Sequence, residues 1–188
     1  MQTSDWHLSC ATKALTEGGI IAYPTEAVWG LGCDPWRESA VGRILKLKQR
    51  PVHKGLILVA SQWQQFEPLL ETLTGAQLQQ LKASWPGPAT WLLPDPQGWA
   101  PAWIKGRHAS VALRLSVHPL VAALCDRFKA PIVSTSANVA GQQPAKSHQQ
   151  IIHTFGDQLD YLVSGELGQS QQPSQVKDLV SGQVIRPA

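Results

Sequence analysis

An α/β fold built on a sheet of mixed strand direction is what this sequence predicts, and three observations carry the prediction. Apolar runs of strand length alternate with segments whose apolar residues recur at helical spacing. Glycine and proline punctuate the boundaries between them. No internal repeat or low-complexity block interrupts the alternation, which argues for one domain over residues 1–188 rather than a solenoid or a two-domain chain.

Taken in order, Leu8, Ala11 and Leu15 share a helical face that Gly18-Gly19 should stop, and Ile20-Ile21-Ala22-Tyr23 then reads as a buried strand. Ala40, Val41, Ile44, Leu45 and Leu47 line a second helix that Pro51 must end, before a strand at Leu56-Ile57-Leu58-Val59. Thr74 and Gln77 stand at capping-box spacing, so a helix should run from there to the breaker Trp85-Pro86-Gly87-Pro88. Residues 90–93 and 111–115 read as strands, joined by a surface loop carrying Trp99, Trp103 and Arg107. Residues 119–128 are helical in spacing, and residues 130–133 form a strand. Residues 142–146 read as a loose connection before a short helix near residues 149–155, and the tail around Ser181-Gly182 fits a hairpin.

Composition narrows the class. With 188 residues the chain can bury a substantial core. Sixteen Lys and Arg against thirteen Asp and Glu give a net charge of +3, which neither demands nor excludes an anionic partner. Cys10, Cys33 and Cys125 are odd in number and lack Cys-x-x-Cys spacing, so no zinc site or disulfide framework is expected and a reducing, cytoplasmic setting is. No run approaches the ~18 apolar residues of a membrane span, and residues 1–13 lack the apolar core of a secretory signal. None of the six histidines pairs at a metal-like spacing, so no protein-held metal is expected. Trp29, Trp85 and Trp91 sit among apolar neighbours and read as core; Trp99 and Trp103 read as loop packing, with an RNA-touching surface as the alternative.

Four features carry chemistry. After Pro131-Ile132-Val133 the chain turns abruptly to Ser134-Thr135-Ser136-Ala137-Asn138. Strand alternation would set Ser134, Ser136 and Asn138 on one face, roughly 6 to 7 Å apart in succession, where open α/β sheets place their ligands. A plain polar turn is the competing reading. Arg37, Arg43, Lys46, Lys48, Arg50 and Lys54 fall within eighteen positions that hold one acid, Glu38, for a local charge of about +5. Lys48, Arg50 and Lys54 straddle the predicted helix end, which suits an anion site, while a solvated helix face is the bland alternative. Tyr23-Pro24-Thr25-Glu26 leads from a strand into the glycine-containing Ala27-Val28-Trp29-Gly30-Leu31-Gly32, exposing Thr25 and Glu26. Arg114, inside the apolar alternation of Val111-Ala112-Leu113-Arg114-Leu115, is costly unless it faces a partner. The chain has neither a Walker-type loop nor a Gly-x-Gly-x-x-Gly run, so a nucleotide would have to be held by side chains.

These blocks, with Lys48-Gln49-Arg50-Pro51 and Trp85-Pro86-Gly87-Pro88-Ala89-Thr90, occur in an order that resembles the YrdC-like threonylcarbamoyl-AMP synthase family over most of the chain. The resemblance implies a twisted mixed sheet with flanking helices and a large concave surface. It implies a nucleotidyltransferase that joins L-threonine, bicarbonate or carbon dioxide, and ATP into threonylcarbamoyl-adenylate and pyrophosphate, for a separate transferase complex that modifies tRNA. It also implies roles. Lys48 and Arg50 of the lysine-x-arginine motif act in catalysis, with Lys54, near the triphosphate. Ser136 and Asn138, with Ser110, Pro144 and Arg186, contact nucleotide. Thr25, Arg114, Ser134 and Ser174 grip threonine, Arg114 through the carboxylate.

Two departures stand out: Val59-Ala60 occupies a place where some relatives carry histidine, and Ala188 one where glycine is usual. Chemistry is consistent with the motif set, because a threonine carbamate already carries the oxygen that attacks the α-phosphorus. Charge neutralisation and in-line positioning are then needed rather than a Ser-His-Asp triad, with Mg²⁺ bridging phosphate oxygens. The alternative is a non-catalytic protein whose basic concave face binds tRNA or double-stranded RNA.

Overall fold

A computed structural model describes residues 4–187, so the Ala188 departure lies outside the described residues. The chain runs α1 (Asp5–Thr16), β1 (Ile21–Pro24), β2 (Trp29–Gly32), α2 (Glu38–Leu47), β3 (Ile57–Ala60), α3 (Glu67–Leu70), α4 (Gly75–Lys82) and β4 (Ala89–Pro94). It continues α5 (Ala102–Lys105), β5 (Ser110–Leu115), α6 (Pro119–Phe128), β6 (Ile132–Ser136), α7 (His148–Phe155), β7 (Tyr161–Leu162), β8 (Gln175–Asp178) and β9 (Val184–Arg186). Among the described residues these strands form one sheet in the order β7-β1-β2-β6-β3-β5-β4-β8-β9, with parallel pairs β1/β7, β3/β5 and β4/β8 in a largely antiparallel frame. The expected mixed sheet with flanking helices is present.

Local chemistry explains most boundaries. The Thr74 hydroxyl accepts from the Gln77 amide and the Gln77 side chain accepts from the Thr74 amide, which starts α4 where the capping box predicts. Ser147 and Gln150 repeat the device at α7. Helix α2 stops before Pro51, because Gln49 takes a left-handed φ of 48° and turns the chain between Lys48 and Arg50. The tail hairpin forms as β8 and β9 around Gly182, whose φ is 73°.

Strand β2 has no counterpart in the sequence reading. Its second glycine is there for Tyr23: a Cβ on Gly32 would stand 2.8 Å from the Tyr23 ring and 2.8 Å from the Val133 carbonyl oxygen. The connection at residues 142–146 is tied rather than loose at its end, since Trp29 N donates to Ala145 O and Ala145 N donates to Ala137 O.

The sheet has two unlike faces. Leu58 pairs in register with Leu113 and Val133, and all three belong to the larger core with Val41 and Ile44 of α2, Leu81 of α4 and Phe155 of α7. Trp29, Trp85 and Trp91 are buried in that core, while Trp99 and Trp103 pack on its edge. One residue along, Val59 and Ile132 point the other way and meet Leu15 of α1 and Leu124 of α6. Helices cover this second face over Val59 and Ile132 but leave bare the row of Ser134, Ile57 and Ala112. Each fully buried leucine under a helix is worth roughly 1.5–3 kcal/mol, so the bare end forgoes real stabilisation.

Candidate active site

The bare end is a trough made of two adjoining hollows, about 420 Å³ and about 220 Å³ in volume, that share Arg50, Leu56, Ile57 and Arg186. Strand register builds its floor, because Ser134 of β6, Ile57 of β3 and Ala112 of β5 lie side by side. Of the residues singled out in the sequence, Thr25, Arg50, Arg114, Ser134, Ser136, Pro144, Ser174 and Arg186 line the larger hollow. Lys54 and Ser110 line the smaller one, again with Arg50 and Arg186. Lys48 and Asn138 line neither.

Lys48 is nearly fully buried, and its Nζ donates to the backbone oxygens of Ser136 and Asn138 and, at 3.3 Å, to Asn138 Oδ1. Burial, with Arg50 nearby, pulls its pKa down to about 8. The expected hydroxyl row is also shorter than strand alternation would make it. β6 ends at Ser136, whose Oγ donates to Asn138 Oδ1 at 2.6 Å, and Asn138 turns back to donate to the carbonyls of Val139 and Gln142. Lys48 therefore stitches the lysine-x-arginine turn to the serine-x-asparagine turn from behind the trough wall.

Arg50 faces the trough, braced by Gly55 O at 2.9 Å and Lys54 O at 3.3 Å. Its guanidinium pKa is lowered by burial and then by the neighbouring Arg186, whose Nη2 donates to Ser174 O at 3.0 Å. Two cations held together with no carboxylate between them among the described residues make a receptor for an anion. The rest of the basic cluster disperses: Arg43 pairs with Asp160 at 2.8 Å and Arg37 lies 3.8 Å from Asp34, so the whole stretch is not one basic face.

At the other end of the larger hollow Arg114 is charged and buried. Its Nη2 meets Glu26 Oε1 at 2.7 Å and its Nε donates to Gly87 O at 3.2 Å, with side-chain exposures of 14% for Arg114 and 12% for Glu26. Burial lowers the Arg114 pKa while Glu26 opposes the shift. Ser116 Oγ donates to the same Glu26 Oε1 at 2.6 Å. The buried His118, at the N-cap of α6, has its pKa lowered by burial against the pull of Glu26. Neutral hydroxyls complete this end. Thr25 Oγ1 donates to Val28 O at 2.7 Å and closes the β1–β2 turn, Ser134 is hydrogen-bonded to the buried Tyr23 hydroxyl, and the Ser174 and Thr90 hydroxyls share a bond of 2.7 Å.

Sequence reasoning singled out Glu26 beside Thr25 without giving it a role, missed Ser116 and His118 as neighbours of the site, and assigned nothing to Ile57 and Val59, which line the hollow. A signal was there for the two that were missed: Arg114, Ser116 and His118 follow at intervals of two, the spacing of one strand face.

Comparison with known proteins identifies the family. The family model Sua5/YciO/YrdC, described as telomere recombination, matches residues 13–188. The chain belongs to that family. A threonylcarbamoyl-AMP synthase of Cellvibrio japonicus is 51% identical over 188 residues, covering 98% of this chain and 99% of that protein. A threonylcarbamoyl-AMP synthase of Pseudomonas aeruginosa is 52% identical over 185 residues, covering 98% of this chain and 99% of that protein. Among solved structures, P. abyssi Sua5 complexed with L-threonine superposes with a TM-score of 0.87 at 30% identity, covering 95% of this chain and 52% of that one. This chain thus spans about half the length of that Sua5. E. coli YciO shares the fold, with a TM-score of 0.85 at 23% identity over 97% of this chain and 89% of that one.

Proposed function

We propose that this chain is a threonylcarbamoyl-AMP synthase, a nucleotidyltransferase that converts L-threonine, bicarbonate or carbon dioxide, and ATP into L-threonylcarbamoyl-adenylate and pyrophosphate. One observation carries the reading: a single trough holds a pair of cations, Arg50 and Arg186, with no ion-pair partner among the described residues, at one end and a hydroxyl-lined Arg114 at the other. That separation suits a triphosphate and an amino acid meeting in line. Relatives of the same length bear the name.

In this reading Arg50, Lys54 and Arg186 neutralise the phosphates, with Ser110, Ser136 and Pro144 bordering the nucleotide. Lys48 and Asn138 serve the nucleotide through Ser136, whose carbonyl and hydroxyl they hold. Thr25, Ser134 and Ser174 surround threonine, and Arg114 takes its carboxylate. For Mg²⁺ the lining is a poor fit: among the described residues Glu26 is its one carboxylate, and Arg114 and Ser116 already occupy Oε1. The metal belongs to the triphosphate rather than to the protein.

We take residues 1–188 as one domain acting in the cytoplasm, with the adenylate passed to a tRNA-modifying transferase complex. Among the described residues no helix is long and apolar enough to cross a membrane. Pyrophosphate release, measured with ATP and bicarbonate and each amino acid in turn, tests the reading. Threonine-selective release is expected, whereas release indifferent to the amino acid would overturn the substrate. Absence of release alongside salt-sensitive RNA retention would favour the RNA-binding alternative.

A further inference from the structure

We propose that Glu26 is the recognition group for the α-ammonium of the amino acid, so that Arg114 and Glu26 together form a receptor for a zwitterion. The inference rests on the threonine reading and adds a residue to it. Both side chains line the same hollow, and both are more than four-fifths buried. A carboxylate so placed is costly unless it has a partner when the site is full as well as when it is empty. In the structure as described, Arg114 supplies that partner through Oε1.

An α-carboxylate arriving on the Arg114 guanidinium brings an ammonium two bonds from its carboxylate carbon. It thereby sets a positive group beside the negative one that Arg114 already holds. Ser116 and Arg114 both contact Oε1, which leaves Oε2 outside either contact. Backbone geometry keeps Glu26 in place: Gly168 N donates to Thr25 O at 2.9 Å and Ser170 N donates to Glu26 O at 3.0 Å. The approach is so close that a Cβ on Gly168 would stand 2.8 Å from the Glu26 Cα. Because the segment around Gly168 and Ser170 straps that turn, the carboxylate is presented by a rigid backbone, as preorganised recognition requires. Arg114 alone would accept any small carboxylate; Glu26 makes the hollow select an amino acid.

Calorimetric binding of two probes to the wild-type chain and to Glu26→Gln tests this. One probe is L-threonine and the other is 3-hydroxybutyrate, which keeps the carboxylate and the hydroxyl and lacks the amine. Wild type should bind threonine at least about tenfold more tightly than 3-hydroxybutyrate, the factor of one charge-assisted contact, and Glu26→Gln should erase most of that preference. If the substitution weakens both probes equally, Glu26 serves only to hold Arg114 and the proposal is overturned. Wild type showing no preference for threonine overturns it without any variant, which covers the case where Glu26→Gln does not fold. Wild type binding neither probe would instead sink the threonine reading, and the inference with it.

Discussion

Two stretches of the same sheet face, a few residues apart on the same strands, have opposite fates. Ile132 lies under α1 and α6 in a dry core and Val59, packed in the same core, marks its border with the hollow, whereas Ser134 and Ile57, two residues along β6 and β3 on the same side, floor an open trough. Strand geometry is identical in both. The difference lies in what the following segments supply: helices bring leucines to the first stretch, and turns bring Arg50, Arg186 and Ser174 to the second. A site in this fold is therefore a place where helical cover stops, marked on β6 by the change from Ile132 to Ser134.

The sharpest way to break the comparison is at its seam, where Arg114 pairs in register with Val59. Arg114→Ala should raise the threonine requirement for pyrophosphate release by ~100-fold or more while changing that for ATP by less than about threefold. Equal effects on both would mean that the trough has no separate amino-acid end.

A smaller effect should separate the two stretches directly. Ile132→Ala should cost about 2–5 kcal/mol and lower the melting temperature by roughly 5–15 °C, with substrate requirements of the remaining folded enzyme unchanged. Ser134→Ala should do the reverse, losing no more than about 1.5 kcal/mol and weakening threonine use by ~10-fold. Thermal melts beside steady-state kinetics decide this, and a large stability loss in Ser134→Ala would place that serine with the covered stretch.

A separate effect is one of pH, at Lys48. Its pKa is about 8 in the folded chain against an ordinary 10.5. Between those values the unfolded chain binds the proton that the folded chain has released, so folded stability rises with pH across the window from about 8 to 10.5. Lys48→Met, which keeps the buried stem and has no titration, should lack that rise. Urea midpoints of both proteins at several pH values across the window measure the difference, and parallel curves would show that Lys48 is not buried as described.

Much of this was readable beforehand, for reasons that vary by residue. Helix α6 lies over residues 119–128, where helical spacing predicts it, and α4 starts at its capping box, because both signals are local. Strand β2 was invisible: Trp29-Gly30-Leu31-Gly32 has no β-branched run, and Gly32 makes sense only once Tyr23 lies across it. In the site, the hydroxyls of β6 and the lone cation of β5 could be read from pattern, since each breaks an apolar alternation. Glu26 could be read as exposed at a strand end but not as a partner of Arg114, which is 88 positions away in sequence and 2.7 Å away in space. Lys48 misled in the opposite sense. Its place in a basic run reads as exposed charge, while the left-handed turn at Gln49 sends Arg50 to the trough and leaves Lys48 inside.

That inward lysine couples parts of the chain that sequence keeps far apart. Because one ammonium holds the carbonyls of Ser136 and Asn138 while its own backbone leads straight into Arg50, the cationic wall and the alcohol wall share a hinge pin. In the proposed reading, the two walls that would flank the triphosphate are thereby joined through one buried side chain.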